Sequence, residues 1–128
     1  MTNAQSSAFL KLVAEAKTRT RAFGIEEFLE RLSAGERYIV LDVREESEWA
    51  LGHLPGAHHL GRGVLEREIE RTVPDKDAPI LLCSGGGYRS ALCADNLQRM
   101  GYSNVTILDG GWRGWIERGL PTVKPGQE

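Results

Sequence analysis

Ile80-Leu-Leu-Cys-Ser-Gly-Gly-Gly-Tyr-Arg-Ser-Ala-Leu92 is the stretch that decides the fold. It opens with an unbroken apolar run, Ile80 to Cys83, of the kind that suits a strand buried on both faces, as in parallel sheets. Three glycines follow, and a helix is expected to begin near Arg89. Leu92, Cys93, Leu97 and Met100 mark its apolar side, and Gly101 ends it. Working outward, the same alternation repeats. Downstream, Val105 to Leu108 reads as a strand and Trp112 to Arg118 as a helix. Upstream, Val64 to Val73 reads as a helix stopped by Pro74, Ala57 to Leu60 as a short strand, and Glu45 to Leu51 as a short helix. Tyr38 to Val43 is another buried strand. Ile25 to Leu32 is a helix closed by Gly35, and Ser6 to Thr18 a further helix with Ser6 or Ser7 as its N-cap. Strands separated by helices predict an α/β fold with a mainly parallel sheet covered on both faces. Thr122 to Glu128 is expected to fray.

Composition narrows the function classes. The 128 residues carry 16 Lys+Arg against 18 Asp+Glu, a formal net charge of −2, so no basic field favours nucleic acid. The length fits one domain. Two cysteines exclude a disulfide framework, and no Cys/His cluster has metal-ligand spacing. No apolar run approaches the ~20 residues of a membrane span. Met1 to Ser7 carries no basic segment leading into an apolar core, so the chain is expected to be cytoplasmic.

The glycine loop carries the chemistry. The carboxyl edge of a parallel sheet is where α/β proteins bind ligands. Gly85, Gly86 and Gly87 let backbone N–H groups turn inward without Cβ clashes, which makes an anion-binding nest. The following helix N-terminus adds partial positive charge, and Arg89 offers a forked cation. Tyr88 is expected to line the pocket mouth. A cysteine at the start of such a loop would have its pKa lowered from about 8.5.

The chain resembles the rhodanese-homology domains in three motifs: Leu41-Asp-Val-Arg44 with Glu48-Trp49 and Gly52-His-Leu-Pro-Gly-Ala57; the glycine loop with Arg89-Ser90 and its helix; and Asp109-Gly-Gly-Trp112 with Trp115 and Gly119-Leu-Pro121. The resemblance runs from about Phe23 to Val123. It divides the chain into an N-terminal helical extension over 1–22 and a rhodanese-like domain over 23–128. It implies about five mainly parallel strands with helices on both faces. It also implies sulfurtransferase activity without metal or organic cofactor. A loop cysteine takes the outer sulfur of thiosulfate or a protein persulfide and passes it to cyanide or a thiol. The expected partners are therefore a small sulfur anion or a protein thiol, in a monomer or weak homodimer.

Family members similar to this chain read apolar-apolar-aromatic-Cys-Gly-Gly-Gly-aromatic-Arg-Ser. Laid without a gap, that register puts Cys83 on the aromatic position and Ser84 on the nucleophile, with a six-residue loop from Ser84 to Arg89. A hydroxyl forms no persulfide. Three explanations stand: Ser84 replaces a catalytic cysteine; it is natural, in a member that binds anions or partners without turnover; or Cys83 is the nucleophile of a Cys-x5-Arg loop, as in rhodanese-fold phosphatases and arsenate reductases. Cys83 otherwise reads as a small buried residue at a strand end, and Cys93 as core. Asp42 and Arg44 are expected to brace the sheet edge, His53 to bond locally, and Asp109 to cap the helix of Trp112 and Trp115. Arg62 is kept as a second anion contact. His58 and His59 have no metal-like spacing.

Overall fold

The structure, a computed structural model, describes residues 6–128. In chain order it forms α1 (Ser7–Thr18), β1 (Arg21–Phe23), α2 (Ile25–Ser33), β2 (Ile39–Asp42), α3 (Glu46–Ala50), β3 (His58–His59), α4 (Leu65–Thr72), β4 (Ile80–Cys83), α5 (Tyr88–Arg99), β5 (Val105–Leu108) and α6 (Gly111–Glu117). Residues 1–5, which include most of the stretch read for a leader and the start of the helical extension, lie outside the described residues.

The five strands form one parallel sheet in the order β1-β5-β4-β2-β3. Strand β4 is central, with Leu82 paired to Leu41 on one side and to Ile107 on the other. Its four residues are all buried, and they alternate between two cores. Ile80 and Leu82 pack with Val13 and Ala16 of α1, Leu65 and Ile69 of α4, and Leu97 of α5. Leu81 and Cys83 face the opposite layer, with Ile25 and Phe28 of α2 and Trp115 of α6. Burial on both faces explains the uninterrupted apolar run, since each large side chain so placed contributes about 1.5–3 kcal/mol.

Two features depart from expectation. Strand β1 is not apparent in the sequence: only Phe23 of its three residues is buried, and its register against Thr106 to Leu108 comes from the sheet edge it joins. Its first two residues fall within the stretch assigned to the extension. The C-terminal segment does not fray. Val123 exchanges backbone hydrogen bonds with His53 (2.9 and 3.0 Å), and the Glu128 carboxylate lies 2.8 Å from His53 Nε2. The sequence showed no apolar anchor there because the attachment is polar. No helix of the described residues is long and apolar enough to cross a membrane.

Candidate active site

Strand β2 leads into α3 and β4 into α5, so the crevice between these neighbouring strands opens at their carboxyl ends. The sequence order reverses direction across the sheet here, the place where α/β folds leave room for ligands. The loop from Ser84 to Gly87 fills the start of this crevice. Ser84 is fully buried. Its Oγ accepts hydrogen bonds from the N–H groups of Gly87 (3.1 Å) and Ser90 (3.3 Å), so the N-terminus of α5 points at this atom. Ser90 Oγ, also buried, has no hydrogen-bond partner. Gly87 takes φ +101, a left-handed conformation that allows the loop to turn its amide toward Ser84.

A second stretch of backbone holds the loop from outside. Trp112 N–H donates to the Ser84 carbonyl (2.8 Å) and Arg113 N–H to that of Gly85 (3.0 Å). The first turn of α6 thus spends its otherwise orphaned amides on the loop. The N-cap of α6 is Gly110, with no side-chain cap. Asp109 is therefore not the cap that its position suggested, because the neighbouring amides are already satisfied by loop carbonyls.

Arg89 does not stand open to an anion as a free fork. Its Nη1 and Nη2 donate to the two carboxylate oxygens of Glu48 (2.6 and 3.1 Å). Glu48 also accepts the Glu45 N–H at the start of α3 (3.0 Å). Arg89 holds the Glu48 carboxyl below its usual range, and Glu48 in turn raises the guanidinium. The pair spans the crevice from α3 to α5. A cavity of about 500 Å³ opens beside it, lined by Gly85, Gly86, Tyr88, Arg113 and, from α1, Phe9. Arg113 forms no ion pair among the described residues, so it is the uncompensated cation of this cavity. Arg62, expected as a second anion contact, lines a different groove with Leu92 and Asn96.

Cys83 lies one residue before Ser84, yet its side chain belongs to the core beneath α2 and α6. It is fully buried, and burial first, then the nearby Asp42 carboxylate, pushes its thiol up to about 12. At neutral pH it is a protonated thiol facing away from the cavity. Cys93 is likewise buried, and its pKa is pushed up to about 12 by desolvation.

Behind the site, Arg44 and Asp42 form a buried pair: Arg44 Nε and Nη2 donate to the Asp42 carboxylate, and Nη2 also donates to the Gly52 carbonyl (2.7 Å). The Arg44 guanidinium stacks over Trp112 at 4.6 Å, which ties this brace to the turn holding the loop. His53 does bond locally, to the Leu54 carbonyl (2.8 Å), and is stacked on Trp49. Among the described residues no His, Cys, Asp or Glu cluster has the makings of a metal site.

Sequence reasoning named Glu48 and Ser90 only as parts of motifs, without these roles, and passed over Arg113 and Phe9 as site residues. Arg113 directly follows the Asp-Gly-Gly-Trp motif, and Glu48 lies three residues beyond Glu45, a spacing that signals a helix start. Phe9 carried no signal, since its role depends on where α1 docks.

A family model described as Rhodanese-like domain matches residues 25–118. Thiosulfate sulfurtransferase GlpE of Ectopseudomonas mendocina is 38% identical over 77 residues, covering 60% of this chain and 69% of the relative. A sulfurtransferase of Allochromatium vinosum is 31% identical over 100 residues, or 78% of this chain and 92% of the relative. Among solved structures, a rhodanese-related protein from Thermoplasma volcanium is similar with a TM-score of 0.68 at 30% identity, covering 80% of this chain and 97% of that one.

Proposed function

The chain belongs to the rhodanese-like domain family, and on that premise we propose that its loop is a sulfurtransferase cradle in which Ser84 occupies the place of the persulfide-forming cysteine. The observation that carries this reading is the convergence of the Gly87 and Ser90 amides on Ser84 Oγ. Donors so aimed, at the end of a twelve-residue helix, stabilise negative charge on the atom they face. Such a field suits a thiolate or a persulfide anion.

With cysteine at position 84 the cycle balances without any further reagent. The thiolate attacks the outer sulfur of thiosulfate; a new S–S bond forms as the old one breaks, and sulfite leaves with the electron pair. Cyanide or a thiolate then removes the outer sulfur and returns the cysteine thiolate. With Ser84 the first bond is not made, and the chain binds the anion without turnover. Arg113 and the loop supply its positive surroundings, while Glu48 orients Arg89. A Cys83–Arg89 hydrolytic loop has no support from the position of Cys83, whose sulfur faces the α2/α6 core. Two unpaired thiols suit a reducing compartment, which supports a cytoplasmic setting.

The test is thiosulfate-to-cyanide sulfur transfer by the chain and by Ser84→Cys. Turnover is expected only from the cysteine form, with a mass gain of one sulfur atom after thiosulfate that cyanide removes. A folded Ser84→Cys protein without transfer or adduct overturns the reading.

A further inference from the structure

The helix α1 lies upstream of the family match, yet it supplies one wall of the cavity. Three anchors fix its position. Val13 and Ala16 are buried in the core. Arg19, at its C-terminal end, forks onto Asp95 of α5 (2.9 and 2.8 Å). Gln98 donates to the Arg19 carbonyl at 2.8 Å. The other end is capped by Ser6, whose Oγ accepts the Phe9 N–H at 3.1 Å. This places the Phe9 ring edge-to-face with Tyr88, centroids 6.0 Å apart at 83°. Tyr88 also carries Lys17 over its ring at 5.5 Å.

The cavity therefore has two unlike surfaces. One is the loop with Arg113 and the Glu48-braced Arg89; the other is a preformed aromatic corner. At about 500 Å³ it is of the size that holds small organic molecules. A bare oxyanion satisfies the first surface and leaves the corner wet. We propose that α1 is a specificity wall, with Phe9 its determining residue, and that the site selects sulfur oxyanions bearing a flat apolar substituent. This rests on the loop being an anion cradle.

Calorimetric titration of the chain with benzenesulfonate, methanesulfonate and thiosulfate tests it. The two sulfonates share a head group, so their affinity ratio isolates the ring. Benzenesulfonate is expected to bind about tenfold tighter than methanesulfonate, the effect of one ordinary aromatic contact. In Phe9→Ala that ratio falls toward one; Phe9→Leu, a gentler change for α1, gives an intermediate value. In Ser84→Cys the kcat/KM ratio for benzenethiosulfonate over methanethiosulfonate follows the same order. A ratio near one in the unmodified chain, or an undiminished ratio in folded Phe9 variants, overturns the wall. Thiosulfate binding with neither sulfonate bound overturns the wall and leaves the cradle standing. If no anion binds and Ser84→Cys transfers no sulfur, the cradle itself falls.

Discussion

Replacing Gly111 by alanine tests whether the loop is held by backbone approach. Gly111 has φ +52, and a Cβ built there overlaps the Ser84 carbonyl oxygen and stands 3.1 Å from that of Gly85. Both atoms belong to backbone that is already hydrogen-bonded to Trp112 and Arg113. Left-handed strain costs a non-glycine residue about 1–2 kcal/mol. Moving the loop away to relieve the contact breaks the two amide bonds, each worth about 1 kcal/mol. The sum is about 3–4 kcal/mol of lost stability. Helix propensity alone predicts the opposite sign, a gain of about 1 kcal/mol for alanine over glycine. Urea unfolding decides, with the midpoint expected to fall by about 1–4 M. Gly63→Ala is the control: no atom lies within 4 Å of its Cβ and its φ is ordinary, so its change stays within about 0.5 kcal/mol. A Gly111→Ala protein as stable as the control refutes the argument.

Other outcomes follow from the same geometry. Neither Cys83 nor Cys93 should react with a thiol reagent at pH 8 in the folded chain, since burial pushes both to about 12. Rapid native labelling of Cys83 would contradict its place in the core. Arg44→Met leaves the Asp42 carboxylate buried without its partner and should cost about 3–5 kcal/mol in urea unfolding; a loss under about 1 kcal/mol would show the brace to be dispensable. Arg19 lowers the Asp95 pKa and Arg89 that of Glu48. The unfolded chain therefore takes up these protons first, near pH 4, and the stabilisation present above that pH is lost as pH falls through the lower folded-state values. Asp95→Asn should flatten the acid limb of the stability curve, and an unchanged limb would remove Asp95 from the account.

The central strand and the loop were legible because their residues report local physics. Ile80 to Cys83 is apolar throughout because both faces are covered, and the glycines after Ser84 are needed where amides must turn inward. The charges were read less well. Arg89 has the right chemistry for an anion clamp, but Glu48 reaches it from another helix, and a pairing across 41 residues leaves no periodic trace. The same holds for Arg113 and Phe9, whose membership of the cavity depends on packing between layers. Strand β1 was invisible because an edge of three residues needs no apolar pattern, and the docked tail because polar contacts hold it.

Three backbone amides position residue 84: two meet its side-chain atom and a third holds its carbonyl, to which the Cys83 thiol also donates. None of them distinguishes oxygen from sulfur. The loop is thus a socket whose shape is set by main chain more than by the side chain it holds.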